Sequence, residues 1–295
     1  MSAPRIPIVA AAMAAALALG TLWAARLVPG WSESALVHPP RRPPPPPPAI
    51  PHDDVELEGE GVHLRGWRFP ATGARRGLVV YLHGFGDDRR EGEGIARRFG
   101  PLGLEVLAYD SRAHGESGGE ACTYGVLEKR DLERVLDQEM PRSPVALPVV
   151  LPVALIGGSL GAAVALQAAA EDPRISLVVA IAPYADLETI AVERAPSFVY
   201  RAQVEEALAL AGREGGFAVA DASPLAAAPR IRCPVLLVHG DADLATPPEH
   251  SRRILAALAG PRELLIVPGV GHFDPAGPAA WERIDRAVSG MLGGP

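Results

Sequence analysis

Lysine is almost missing from this chain: of 28 basic residues, all but Lys129 are arginine. Cysteine is nearly as scarce. Cys122 and Cys233 stand alone, which excludes a disulfide framework and a cysteine-based metal site. On the sheet that the strand pattern implies, they fall at opposite ends, roughly 15–20 Å apart for strands of usual length. A disulfide needs Cα atoms within about 7 Å, so two free thiols are expected. Aromatic residues make up 5% against 48% apolar residues overall, so alanine, valine and leucine must build the core. No arginine stripe is interleaved with aromatics, and the net charge is −7, which excludes a basic nucleic-acid footprint. The 295 residues suffice for one large α/β domain or two small ones.

What is present begins with an apolar run, Ile6 to Ala25, flanked by Arg5 and Arg26. About 20 such residues cross a bilayer as a helix, so residues 1–27 are expected as a membrane anchor. A cleaved signal segment is the alternative, with Ala18-Leu19-Gly20 at cleavage spacing but inside the run. A dispensable soluble tail is a third. Arg26, Arg41 and Arg42 after the run do not favour export of the domain beyond it. Residues 28–52 contain PPRRPPPPPP, Pro39 to Pro48, expected as a stiff polyproline linker about 30 Å long. Such a spacer suits a domain displayed outside the cytoplasm.

From residue 53 to 295 apolar runs alternate with helical patterns. Val55 to Glu58 and Val62 to Phe69 read as an antiparallel pair around Gly59-Glu60-Gly61. Five runs come next, GLVVYLHG, LEVLAYD, VALIGGS, ISLVVAIAP and PVLLVHGDAD, then a sixth, ELLIVPG. Short, continuous and rich in Val and Leu, they read as strands buried on both faces. Helical stretches between them, Arg89 to Phe99, Val126 to Met140, Leu160 to Glu171 and Pro248 to Leu258, imply a doubly wound, mostly parallel sheet. Residues 184–228 are expected as a helical lid insertion.

Two stretches fit G-x-S-x-G: GESGG at Gly115 to Gly119 and GGSLG at Gly157 to Gly161. The motif has meaning only where a strand runs into a tight turn and a helix, because the serine there takes a strained conformation that needs small neighbours. Ser159 meets this condition. Ser117 does not, since its strand ends well before it and another loop comes after; it reads as a loop residue. A serine hydroxyl needs a histidine to take its proton and a carboxylate to orient that histidine. His239, His250 and His272 come after Ser159 in the chain. His239 ends a buried run and reads as structural. His250 reads as surface, one turn into a helix starting at Thr246, where TPPE suggests a capping box. His272, after the loop PGVG, is the expected base.

Asp241 and Asp243 are both possible acids, with Asp243 better placed to reach sideways toward His272. Asp186, one strand earlier, is the further alternative. Oxyanion donors are expected from the backbone N–H of Leu160 and of Phe85 in HGFG, His83 to Gly86. His83 itself reads as a loop brace. Phe85, Tyr184, Phe198 and Phe273 are expected to line an apolar substrate cleft.

HGFG, YDSRAHGESGG, GGSLG, HGDAD and GVGHFD, in that order, resemble the α/β-hydrolase superfamily, most closely its bacterial serine aminopeptidase-like and esterase-like branch. The resemblance spans about Val55 to Leu292. It implies Ser159 as nucleophile, His272 as base and, through the family's H-G-x-x-D pattern, Asp243 as acid. It also implies that the D-x-R-x-H-G-x-S loop, Asp110 to Ser117, is largely structural. The proline-rich PRSPVALPVVLP before the elbow strand departs from the family pattern, and the lid carries no subfamily signature. The expected activity is hydrolysis of an acyl bond, foremost a carboxylic ester, with no cofactor and no metal. A peptidase or acyltransferase would use the same machinery. The rival reading is a non-catalytic protein that holds a ligand under its lid. Haloperoxidase-like side activity is compatible with the triad, whereas dehalogenase chemistry would want an aspartate at position 159.

Overall fold

The computed structural model describes residues 36–140, 151–272 and 277–293. The apolar run Ile6 to Ala25 lies outside them, as does Phe273. Among the described residues no helix is long and apolar enough to cross a membrane.

Eight strands form one sheet: β1 Asp53–Glu58, β2 His63–Phe69, β3 Gly77–Leu82, β4 Leu104–Tyr109, β5 Val153–Gly158, β6 Ile175–Ile181, β7 Val235–Gly240 and β8 Arg262–Val267. Their order across the sheet is β1-β2-β4-β3-β5-β6-β7-β8. β2 runs antiparallel to both β1 and β4, and every other pairing is parallel. Period-two alternation sends Leu78, Val80 and Leu82 of β3 to one face and Val79 to the other, and both faces are covered. That double burial is why the sequence shows continuous apolar runs rather than alternation.

The helices are α1 Gly92–Phe99, α2 Glu128–Glu139, α3 Leu160–Ala169, α4 Leu187–Arg194, α5 Arg201–Gly215, α6 Pro224–Ala227, α7 Glu249–Ala257 and α8 Pro278–Met291. Three of them, α4 to α6, make up the insertion between β6 and β7. Chain order reverses around β3, flanked by β4 on one side and β5 on the other. In open sheets the crevice beyond the carboxyl ends of the strands at such a point is where ligands bind.

Two local expectations need correction. The TPPE stretch makes no capping box: α7 begins at Glu249, because the Asp243 side chain holds the Thr246 N–H and Arg194 holds the Thr246 hydroxyl. The proline-rich stretch does not stand clear of the domain from Leu36 onward. Val37, Pro39, Pro45 and Pro48 are buried, and Arg41 and Arg42 both bond to domain loops. Both cysteines are free thiols, as expected.

Candidate active site

β5 ends in Gly157-Gly158, and α3 starts at Leu160, so Ser159 alone makes the turn between them. Its φ of 50° and ψ of −111° lie where residues with side chains are strained. The turn needs bare backbone on both sides. A Cβ on Gly157 would sit 2.4 Å from the Gly161 carbonyl, and one on Gly161 would sit 2.0 Å from the Leu82 carbonyl oxygen. Ser159 N–H donates to Ile181 O at 2.8 Å, pinning the turn to the end of β6.

His272 lies in the loop after β8. Its Nε2 is 3.1 Å from Ser159 Oγ, and its Nδ1 is 2.7 Å from Asp243 Oδ2. Asp243 is buried in the loop after β7. Its Oδ1 accepts the N–H groups of Ala245 at 2.9 Å and Thr246 at 2.8 Å. Burial alone would raise its carboxyl pKa. Hydrogen bonds from His239, His272 and the Thr246 N–H outweigh it and hold the group well below the usual carboxylate range. His239, fully buried, directs its Nε2 at both Thr246 O, 2.7 Å away, and Asp243 Oδ2, 3.3 Å away, and meets Ser251 Oγ at 2.7 Å through Nδ1.

The other sequence candidates have different employment. Asp241 accepts Gly269 N–H at 2.6 Å, which braces the loop leading to His272. Asp186 caps α4 through Thr189 N–H at 2.8 Å and pairs with Arg253 at 3.0 Å. Ser117 is buried, donates to Asp110 O at 2.5 Å and accepts Arg65 N–H at 2.9 Å, so its hydroxyl is fully occupied. His250 is buried rather than on the surface. It accepts Ala185 N–H at 3.0 Å and meets Glu193 at 2.8 Å, tying α7 to the insertion.

The loop after β3 lies beside the serine: a Cβ on Gly84 would be 3.8 Å from Ser159 Cβ. His83, fully buried, accepts Ser111 N–H on Nε2 at 2.9 Å. Its proton therefore sits on Nδ1 and is donated to Gly84 O at 2.8 Å. In a trans peptide the N–H points opposite to the carbonyl, so this bond also fixes the direction of the Phe85 N–H. Burial lowers the His83 pKa and keeps the ring neutral for that role. The N–H of Leu160 opens α3, where the first-turn donors have no partner inside the helix.

Phe85 stacks on Tyr124 with ring centroids 5.9 Å apart, and Tyr124 meets Tyr184 and Phe217. Tyr184 is a buried member of this cluster, donating its hydroxyl proton to Tyr124 O at 3.2 Å. Phe198 is 75% exposed, with Tyr200 beside it in the chain at 78%. Leu244, next to Asp243, is 95% exposed. The sequence does not single out Tyr124 or Phe217; the positive φ of Tyr124 and Gly125 appears only in the folded backbone. The described residues contain no group of three or more His, Cys, Asp or Glu side chains able to hold a metal.

Comparison with known proteins gives a consistent picture. A family model described as serine aminopeptidase, S33, matches residues 73–210, and one described as prolyl oligopeptidase family matches residues 152–286. An uncharacterized protein of Mycobacterium tuberculosis is 29% identical over 225 residues, covering 75% of this chain and 73% of that one. A monoacylglycerol lipase of Mycolicibacterium smegmatis is 28% identical over 228 residues, covering 67% and 81%. Among solved structures, an esterase of Pyrococcus furiosus superposes with a TM-score of 0.66 at 26% identity, covering 88% of this chain and 97% of that chain.

Proposed function

Because the chain belongs to the α/β-hydrolase superfamily, we propose that it is a serine hydrolase that cleaves carboxylic esters through Ser159, His272 and Asp243. The observation that carries this reading is the continuous series Ser159 Oγ, His272, Asp243, at 3.1 and 2.7 Å. Ser159 Oγ attacks the acyl carbonyl carbon as His272 Nε2 takes its proton. Asp243, kept ionised by its donors, steadies the imidazolium through Nδ1. The N–H groups of Phe85 and Leu160 receive the oxyanion. Collapse expels the alkoxide, which takes the proton from Nε2. Water, deprotonated by the same nitrogen, then attacks the acyl-enzyme, releasing the carboxylic acid and restoring Ser159.

An ester is favoured over an amide because an alkoxide leaves more easily than an amine. The relatives point the same way, one an esterase and one a monoacylglycerol lipase. The insertion α4 to α6 serves in this reading as a lid over the aromatic cluster.

The test is labelling of the full chain with a fluorophosphonate, with the adduct mapped by mass spectrometry, and turnover of p-nitrophenyl esters of graded chain length. The adduct is expected on Ser159, lost in Ser159→Ala and retained in Ser117→Ala. Ester turnover should fall by at least about a thousandfold in Ser159→Ala. A folded chain that neither labels nor hydrolyses would refute the reading. Turnover of amides alone would transfer it to a peptidase.

A further inference from the structure

The segment Leu36 to Arg42 lies ahead of β1 in the chain and contributes nothing to the triad, yet it contacts the loops around the proposed oxyanion site one after another. Leu36 O accepts the Tyr124 hydroxyl at 2.6 Å, and Val37 O accepts Cys122 N–H at 2.8 Å. His38 meets Glu214 at the end of α5 at 2.6 Å and Glu120 O at 2.7 Å. The Pro40 ring lies 3.2 Å from where a Cβ on Gly86 would be, and Arg42 pairs with Asp87 at 2.7 Å. Gly86 and Asp87 come directly after Phe85.

Arg41 is the centre of this arrangement. Its Nη1 donates to Ser117 O at 2.6 Å and Gly115 O at 2.9 Å, with His114 O at 3.4 Å, while its Nη2 donates to Gly119 O at 2.9 Å. Four carbonyl dipoles turned toward one point repel each other unless a cation sits there. A planar guanidinium with several fixed N–H donors suits that task. The loop so held presents His114, whose ring packs edge-on against His83 at 5.0 Å and Phe85 at 5.7 Å. His83 in turn fixes the Gly84–Phe85 peptide.

Two routes therefore run from this segment to the Phe85 N–H. One is direct, through Pro40 and Arg42 on Gly86 and Asp87. The other passes through Arg41, the 114–119 loop, His114 and His83.

Building on the esterase reading, we propose that Leu36–Arg42 is a strap that holds the oxyanion loop in its donor geometry, with Arg41 as its positioning residue. Arg41 touches neither substrate nor triad in this assignment, so its effect is on the transition state rather than on ground-state binding.

The experiment uses full-length Arg41→Ala and Arg41→Lys. In Arg41→Ala, kcat on a short p-nitrophenyl ester is expected to fall about tenfold with KM within about twofold. Arg41→Lys should recover part of that loss, since an ammonium can reach some of the carbonyls. Amide hydrogen exchange should rise at residues 83–87 and 112–119 in Arg41→Ala and stay unchanged in the sheet. A kcat within about twofold of wild type, or unchanged exchange at residues 83–87, would overturn the strap. If the wild-type chain neither labels nor hydrolyses, the esterase reading falls. Exchange at residues 83–87 then decides whether the strap positions that loop at all.

Discussion

Ser159 holds a backbone conformation that costs about 1–3 kcal/mol for a residue other than glycine, and it is held there by the glycines and the Ile181 carbonyl. That demand is local, so the sequence displays it as a strand, two small neighbours and a helix. His272 was legible for a similar reason, as the histidine of a glycine-rich loop after the last strand. Asp243 was less so. Asp241 and Asp243 share one loop, where spacing hardly separates them; the resemblance's H-G-x-x-D pattern points to Asp243, and the tertiary partners differ, Gly269 N–H for one and His272 for the other. Braces such as His250 were illegible because their partners lie far along the chain. His114 adds a pH dependence at this scale. Burial, aided by neighbouring His83, pushes its imidazole down to about 4, while an unfolded chain protonates it near 6.5. Between those values the unfolded chain binds a proton that the fold excludes, so stability falls as pH drops from about 6.5 toward 4. His83 is shifted in the same direction. One such histidine contributes a slope of up to about 1.4 kcal/mol per pH unit. Urea unfolding between pH 7.5 and 5 should show this loss, and His114→Asn, which can keep the bond to Arg112 O, should flatten it. An undiminished slope in the variant would assign the effect elsewhere.

The strands were the most legible elements, because burial on both faces leaves a continuous apolar run that no exposed helix has. Helix ends were less so. Thr246 looks like an N-cap by residue type, but its N–H and hydroxyl are claimed by Asp243 and Arg194, and α7 starts three residues later. Contact between α3 and β3 depends on Gly161, whose missing side chain lets the helix meet the Leu82 and His83 carbonyls. Gly161→Ala puts a methyl 2.0 Å from a backbone oxygen that cannot rotate away. A loss of about 3 kcal/mol or more in urea unfolding is expected, in the range reserved for forced overpacking. Gly158→Ala is the control. Nothing lies within 4 Å of the added carbon and its φ is not positive, so stability should change by less than about 1 kcal/mol. Equal losses in the two variants would show that close approach is not what the elbow glycine provides.

At the scale of the molecule, the site draws on the carboxyl ends of β3, β5, β7 and β8, and on pieces that lie outside the sheet. The sheet's share is readable from alternating β and α runs. Docking of the strap and of the insertion is not, since a proline run or a polar helix reads the same whether free or bound. The insertion reaches the loop after β7 through Arg194, whose Nε donates to Ala245 O at 2.7 Å and whose Nη2 donates to Thr246 Oγ1 at 2.7 Å. Those two residues are the ones whose N–H groups hold Asp243. Just beyond Arg194 the chain exposes Phe198 and Tyr200, two chymotrypsin targets, on the way to α5. Arg194 is exposed, so its loss should cost no more than about 1 kcal/mol of global stability. Its local effect should be larger, because Arg194 ties the end of α4 directly to the loop after β7, alongside the neighbouring Glu193–His250 contact to α7. Arg194→Ala is therefore expected to be cut by chymotrypsin at Phe198 or Tyr200 several times faster than wild type under native conditions, with the urea midpoint nearly unchanged. Cleavage at the wild-type rate would mean the insertion is held without Arg194, by its apolar underside and by the Glu193–His250 and Asp186–Arg253 contacts. Faster cleavage with a large fall in the midpoint would mean that it opens only with the whole domain.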